Sequence, residues 1–447
     1  MLRTRLEPCD PQSIERGVRQ LLADKISGNL VGLWLLVPEH LRLGTWDLLC
    51  GWTQQPAQQV QPRLALQLVH EAALCITGVR QARSLGQKGF QLIHGLPFIA
   101  TDVAIHHLLD EHTVAEAQRL QIALGQLRLT SGHFRGKLLA IDPHRVRSWS
   151  KRQMRPRGSR DAKPTKVAQT FFCLDTDTHQ PLCLTTATSS RNVAQATPEL
   201  LHMATRILQP EPGQTLVLAD SEHFTAELID QVHGQTHFQL LVPMPNTRSL
   251  QRQLKAIAPE QFIPRWAGFA TCKLPYRLTQ SPTTYHQFVQ RSGETPEVWS
   301  FSAYLATCDR DEVEALANEY PQRWHVEEFF NTDQKLGWKR AGTLNLNIRY
   351  GQMTLALVAQ AVLHQLRGRV GDPVTQWDAP HLAKDLLQGL DGDVRVNRDT
   401  IIITYYNAPN ADQLRSHYED LPGRLESEGV DPRIPWLYDF KLDFRFK

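Results

Sequence analysis

The chain has 447 residues, of which 41% are hydrophobic and 21% are charged, and its formal net charge is +3. This composition excludes an intrinsically disordered protein, and the length predicts two to four structural modules. The seven cysteines include no Cys-x-x-Cys pair, which argues against a structural zinc site or a disulfide framework and favours a reducing compartment.

The N-terminal sequence MLRTRLEPCDPQ has no apolar region of the kind found in signal peptides. The longest early apolar run, LVGLWLLV at 30–37, is far shorter than the ~20 residues that a membrane-spanning helix needs. We therefore expect a cytoplasmic protein with no membrane partner.

Hydrophobic periodicity changes several times along the chain. Residues 1–130 have spacing near 3.6 and predict a helical N-terminal domain, which could bind DNA or simply be a helical bundle. Strand, hairpin and helix patterns then predict an α/β region at 131–244. Short runs broken by Pro, Thr, Ser and Gly predict a β-rich insertion at 245–305. A helical segment at 306–370, predicted to complete the α/β core, and a C-terminal α/β extension at 371–447 follow.

Two aspartates stand at the end of apolar runs in the α/β region. LLAID ends in Asp142 and LVLAD ends in Asp220, so each aspartate is predicted at the carboxyl end of a buried strand. Open α/β sheets place their binding sites at that edge. A single aspartate in this position more often begins a turn, but two such strands in one region favour a shared site.

A third carboxylate lies in the segment EYPQRWHVEEFF. Tyr320, Arg323 and Glu327 are spaced i, i+3 and i+7, so a helix would carry them on one face. The neighbouring Glu328 would point about 100° away from Glu327. An ordinary amphipathic helix would explain this segment alone, whereas three convergent carboxylates would suit Mg²⁺ or Mn²⁺.

The order of these blocks resembles the insertion-sequence DDE transposases. That family has a ribonuclease-H-like mixed sheet core, and one large branch carries the signature Tyr-x2-Arg-x3-Glu-x6-Lys. Tyr320, Arg323 and Glu327 match this signature, and LLAIDPHRV and VLADSEHFTAELI resemble the blocks of the first and second aspartate. The resemblance covers roughly 131–370. It implies an α/β fold with a β-rich insertion, a helical N-terminal domain and a C-terminal α/β extension.

The sequence departs from the family pattern at two positions. Gln334 stands where the signature has lysine, and the nearest lysine is Lys335, about 80° from Glu327 around a regular helix. Ser221 follows the second aspartate, where arginine is frequent in the family.

The resemblance also implies roles for the matched residues. Asp142, Asp220 and Glu327 would be catalytic and would hold Mg²⁺ or Mn²⁺, as two ions. A group of Tyr, Lys and Arg residues would bind DNA phosphates, namely Tyr320, Arg323, Lys335, Arg145, Arg147, Lys151 and Arg152. The last four lie in the segment 145–166, which contains nine Lys or Arg residues and one acidic residue.

The predicted function is that of a DNA transposase that cleaves transposon ends and transfers strands to target DNA. Its partner would be double-stranded DNA, on which a homodimer would act, and the cytoplasmic protein would associate with the nucleoid when bound. Two alternatives remain open from the sequence: a metal-dependent nuclease on the same core, and a decayed transposase that binds DNA without chemistry.

Overall fold

The computed structural model describes residues 10–28, 30–76, 88–148, 165–188, 190–338, 343 and 345–447. Most of the predicted basic segment, including Lys151 and Arg152, lies outside the described residues. Within the described ranges, no helix is both long and apolar enough to cross a membrane.

The secondary structure is mixed. The strands are, in chain order, β1 Ile26–Gly28, β2 Leu138–Arg147, β3 Val167–Asp175, β4 Gln180–Thr188, β5 Leu216–Leu218, β6 Gln239–Pro243, β7 Ile263–Trp266, β8 Phe269–Arg277, β9 Thr284–Ser292, β10 Ser300–Ala306, β11 Gly392–Asn397, β12 Thr400–Tyr405, β13 Arg433–Ile434 and β14 Phe440–Phe446. The α-helices are α1 Pro11–Ala23, α2 Leu36–Leu43, α3 Thr45–Thr53, α4 Val60–Ala73, α5 Lys88–Ile93, α6 Asp102–Glu111, α7 Val114–Thr130, α8 Val193–Leu208, α9 Ala226–Gln235, α10 Arg248–Lys255, α11 His325–Asp333, α12 Leu346–Val370, α13 Ala379–Leu382, α14 Ala411–Tyr418 and α15 Leu421–Ser427.

The chain folds into two units. The first comprises Met1–Ser131 and Thr332–Lys447, and the second comprises Gly132–Asn331. In the first unit, α12 is buried on nearly all sides against α2, α4, α6 and α7, and polar side chains such as Gln360 and Arg367 are buried along with its apolar ones. A sheet of order β1-β11-β12-β14-β13 completes this unit. The short β1 was not predicted, because three residues carry too little periodicity to be recognised.

The second unit is built on one nine-stranded sheet. Its order is β4-β3-β2-β5-β6-β10-β9-β8-β7, and the β2–β5 and β5–β6 pairs are parallel whereas the other pairs are antiparallel. The α/β, ribonuclease-H-like fold class predicted from the sequence is therefore confirmed. The β-rich segment does not form a sheet of its own, since β10 pairs directly with β6 and extends the core sheet.

A hydrophobic cluster fixes the helical segment that follows β10. Leu218 of β5, Leu241 of β6 and Phe288 of β9 are buried together with Ala315 and Leu316. The last two belong to a π-helix, Glu314–Glu319, which leads into the Tyr320 signature. Burial of these apolar residues therefore holds the signature segment against the carboxyl ends of β5 and β6.

Candidate active site

Asp142 does not end its strand, and in this respect the sequence prediction was wrong. It lies in the middle of β2, because pairing with β3 continues from Leu139 to Arg147. Pairing with β5, on the other side of β2, stops at Ala140. Asp142 therefore lies past the last residue of β2 that pairs with β5, although β2 itself continues in its pairing with β3.

Asp220 lies two residues past the end of β5, close to the predicted position. The parallel register pairs Ala140 with Leu218, so Asp142 and Asp220 each stand two residues beyond the last pair. Side chains alternate along a strand, and an equal offset places both aspartates on the same side of the sheet. The topology thus brings these two carboxylates together, as the sequence predicted.

The signature segment changes helix type near Pro321. A 3₁₀-helix spans Tyr320–Trp324, with Pro321 in its first turn, and α11 begins at His325. Pro321 has no backbone N–H and cannot continue the hydrogen bonding of the π-helix that ends at Glu319, which agrees with the change of helix type at this point. Glu327 consequently lies in the first turn of α11.

Arg323 connects two of the three carboxylates. Its Nη2 donates a hydrogen bond of 3.0 Å to Oε1 of Glu327, and its Nη1 lies 3.5 Å from Oδ1 of Asp142. The Arg323 and Asp142 side chains are only 15% and 17% exposed, so these contacts are shielded from bulk water. One guanidinium thereby holds the catalytic candidates of β2 and α11 in a common cluster.

Tyr320 joins the same cluster from the side of β5. Its hydroxyl donates a hydrogen bond of 3.3 Å to the carbonyl oxygen of Ala219, the residue before Asp220. Its ring packs edge-on against Tyr304, with 4.7 Å between centroids. Burial raises the pKa of Tyr320, so its hydroxyl stays protonated and able to donate. A phosphate contact by Tyr320 stays a prediction.

The two aspartates have opposite pKa shifts. Burial, followed by the negative charges of Asp220 and Glu327, raises the pKa of Asp142 to about 8, although Arg323 acts against this rise. Burial also acts to raise the pKa of Asp220, but His223, followed by the backbone N–H of Glu222 and the charge of Arg323, acts in the opposite direction, and the pKa is lowered below its usual value. The raised pKa of Asp142 shows that a further negative charge is disfavoured in this buried place beside Asp220 and Glu327, and a cation bound there would stabilise the ionised carboxylate.

The donor chemistry of the cluster fits a divalent cation. Asp142, Asp220 and Glu327 offer carboxylate oxygens, the ligands that Mg²⁺ and Mn²⁺ prefer. Among the described residues, no group of three or more His, Cys, Asp or Glu side chains is arranged closely enough to hold a metal ion as it stands. The Arg323 guanidinium contacts both Asp142 and Glu327 instead, so an ion would be held here only if the three carboxylates moved closer together.

The predicted DNA-binding residues differ in their surroundings. Arg145, on β2, makes a two-pronged ion pair with Glu222, at 2.8 and 2.5 Å, and its Nε donates to Gln169. Arg147 is exposed at the end of β2. Lys335 lies in the first unit, in a short 3₁₀-helix. A role in DNA binding stays a prediction for each of them.

The sequence reasoning missed two residues of the site, Glu222 and His223. Both lie in the 3₁₀-turn Ser221–His223 that follows Asp220. His223 bonds to Asp220 through its ring, and Glu222 pairs with Arg145. The i, i+3 spacing in DSEH could have indicated the first contact, since it is the spacing of a side chain that closes a turn.

Comparison with known proteins decides the family. A model of the transposase DDE domain family matches residues 133–361, just over half of the chain, and this range contains all three carboxylates. The chain belongs to the DDE transposase family. Its members cleave DNA and transfer strands, so the protein is a DNA transposase and DNA is its partner.

Two further comparisons concern individual proteins. No curated protein matches the transposase sequence. Among solved structures, it is similar to the piggyBac transposase in a cryo-EM structure of a synaptic complex with hairpin DNA, with 12% sequence identity, a TM-score of 0.42 and coverage of 82% of each chain.

Proposed function

We propose that this transposase performs its chemistry with Asp142, Asp220 and Glu327 as the catalytic triad of carboxylates. The observation that carries the proposal is the double contact of Arg323 with Asp142 and Glu327, since it joins residues 185 positions apart in the sequence at one point of the core. The parallel register of β2 and β5 supports the inclusion of Asp220, since Asp220 and Asp142 lie at the same distance past the last paired residues.

The triad would hold Mg²⁺ or Mn²⁺, and the proposed number of ions is two. Bound ions of this kind activate a water molecule or a 3′-hydroxyl and stabilise the leaving oxygen of a phosphodiester. Asp220 supplies an ionised carboxylate, because its lowered pKa keeps it unprotonated at neutral pH. Asp142 and Glu327 supply oxygens from the facing strand and helix.

Arg323 and Tyr320 are the proposed contacts to the DNA strand next to the scissile phosphate. A guanidinium can bind phosphate in two-pronged fashion, and Arg323 would exchange a carboxylate for a phosphate partner when ions occupy the triad. Arg145, Arg147 and the basic segment that follows would bind the DNA backbone further along. Two copies are proposed to act together, one on each transposon end.

The decisive experiment compares Glu327→Gln with Glu328→Gln. The adjacent glutamates have the same chemistry, but Glu327 bonds to Arg323 within the cluster, whereas Glu328 is exposed. Purified wild type and both variants would be incubated with Mg²⁺ or Mn²⁺ and with DNA carrying the ends that flank the gene. We expect Glu328→Gln to cleave and join these ends and Glu327→Gln to bind them without cleavage.

The other outcomes separate the rival functions. Cleavage by the wild type without preference for the ends would favour a metal-dependent nuclease. Tight binding without cleavage by any of the three proteins would indicate a decayed transposase. Equal activity of Glu327→Gln and the wild type would remove Glu327 from the triad. The mass of the protein–DNA complex, measured in the same samples, tests the proposed pair of protomers.

A further inference from the structure

The carboxylate of Asp220 is held by the turn that follows it. Its Oδ1 accepts a hydrogen bond of 2.6 Å from Nδ1 of His223 and one of 3.1 Å from the backbone N–H of Glu222. Both bonds fall on the same oxygen. Within the described part of the chain, Oδ2 accepts no hydrogen bond, so it is the oxygen left for another ligand.

His223 is itself fixed in position. Its side chain is 2% exposed, its backbone N–H donates to the carbonyl oxygen of Asp220, and the turn packs against α8 and β6. An ionised carboxylate can only accept hydrogen bonds, so Nδ1 of the imidazole must carry the proton. Because the ring is buried and its Nδ1 lies 2.6 Å from Oδ1, the donor is directed at this oxygen of Asp220.

The three carboxylates of the cluster are thus supported differently. Asp142 and Glu327 share the long side chain of Arg323, which must move when the cluster closes around an ion. Asp220 instead depends on a short, buried side chain from its own turn. Asp220 is for this reason the pre-oriented member, with Oδ1 occupied and Oδ2 available.

We propose that His223 is a positioning residue of the transposase, which orients the Asp220 carboxylate so that Oδ2 serves as an ion ligand. This inference rests on the proposed function, because it takes Asp220 as a member of the triad. Residues that bond to ion-binding carboxylates fix their direction, and their loss typically costs about 10- to 100-fold in ion affinity or activity. His223 acts through Asp220 and has no contact with DNA in this proposal.

A purely structural role would be the rival explanation, since His223 also fills space below the turn. Two substitutions separate the roles. His223→Asn keeps a side-chain N–H close to the place of Nδ1, whereas His223→Phe keeps the ring and its volume but removes the donor. A structural role would favour the phenylalanine variant, and a positioning role would favour the asparagine variant.

The test measures the Mn²⁺ requirement of end cleavage and, separately, Mn²⁺ binding to the protein–DNA complex by electron paramagnetic resonance. We expect His223→Phe to need about 10-fold or more Mn²⁺ for half-maximal cleavage and to bind Mn²⁺ correspondingly more weakly. For His223→Asn, the Mn²⁺ requirement of cleavage and the affinity for Mn²⁺ should both be close to those of the wild type. Melting temperatures of the three proteins control for folding.

Each other outcome overturns the inference. A folded His223→Phe variant that requires and binds Mn²⁺ as the wild type does would show that His223 does not orient Asp220. The proposed function would still stand in that case, provided that the wild-type protein cleaves the ends. A wild type that neither cleaves nor binds Mn²⁺ would overturn the proposed function together with the inference. If His223→Phe fails to fold, His223→Ala with added imidazole replaces it, and absence of rescue in that folded variant counts against the inference.

Discussion

Arg323 donates a hydrogen bond of 3.0 Å to Glu327, one helical turn further along the chain. The pair spans the junction between the 3₁₀-helix and α11, and the same guanidinium reaches Asp142 on the sheet. The fork of the guanidinium makes the two contacts with two different nitrogens in a fixed plane, whereas an ammonium group would have to make both from one nitrogen.

Replacing Arg323 by lysine should lower the rate of end cleavage about 100-fold, because misplacing catalytic groups by about 1 Å has a cost of this size. Cleavage of end-bearing DNA at saturating Mn²⁺ measures the effect. Arg310→Lys is the matched control, since Arg310 pairs with Glu319 outside the cluster, and it should stay within a few-fold of the wild type. A wild-type rate in Arg323→Lys would contradict the assigned role.

The ion pair between Arg145 and Glu222 should limit DNA affinity. Arg145→Gln is expected to reduce the slope of log affinity against log salt by about 1, the contribution of one phosphate contact. Glu222→Gln should increase this slope, because Arg145 then loses the carboxylate that competes with DNA phosphate for its guanidinium. Binding to a DNA duplex between about 50 and 200 mM salt measures both slopes.

Arg191→Gln provides the control for this pair of variants. Arg191 forms an ion pair with Glu199 in the same unit but was not assigned to DNA. Its substitution should leave the salt slope unchanged. Equal slopes for Arg145→Gln and the wild type would show that Arg145 binds no phosphate.

The first unit should lose stability in acid because of its buried histidines. Burial lowers the pKa of His40 and of His94 to about 3, from an ordinary value near 6.5. The unfolded chain therefore binds more protons in this range, so stability is complete above about pH 6.5 and declines as the pH falls towards 3. At pH 5 each histidine should cost roughly 2 kcal/mol.

Substituting His94 isolates this effect. His94→Phe should reduce the loss of unfolding free energy between pH 7 and pH 5 by roughly 2 kcal/mol, whatever its effect at neutral pH. His107→Gln should not, because the His107 side chain is 68% exposed. Denaturant unfolding at the two pH values measures the difference, and an unchanged loss in His94→Phe would refute the explanation.

Gly95 should be intolerant of a side chain. Its φ is +66°, and a Cβ atom there would lie 2.0 Å from the carbonyl oxygen of Trp436, which is backbone and cannot move away cheaply. Gly95→Ala should cost ~3 kcal/mol or more through overpacking and backbone strain. Gly44→Ala has a similar φ, +61°, with open space around it, and should cost about 1 kcal/mol. Similar losses in the two variants would contradict the clash.

The sequence predicted those parts of the site that depend on local patterns. Asp220 follows an apolar strand, and the spacing of Tyr320, Arg323 and Glu327 places them in one cluster. The position of Asp142 within β2 was not predictable, because Pro143 and the polar residues after it resemble a turn. Pairing with β3 continues through this segment to Arg147 and keeps it extended.

Contacts between side chains that are distant in sequence were also beyond prediction. The pairing of Arg145 with Glu222 joins residues on β2 and on the turn after β5, and no local pattern specifies it. The pairing of β6 with β10 was not predictable either, since the periodicity of a strand indicates a buried face but does not identify the neighbouring strand.

The β6–β10 pairing makes the insertion a structural necessity for the core. With β10 present, β6 is an interior strand; without 245–305, its backbone N–H and C=O groups and its apolar side chains would form an open sheet edge. Such edges recruit strands from other chains and lead to aggregation. Shortening the outer strands β7 to β9 should therefore be tolerated better than deletion of β10, and a minimal catalytic fragment should retain Ser300–Ala306.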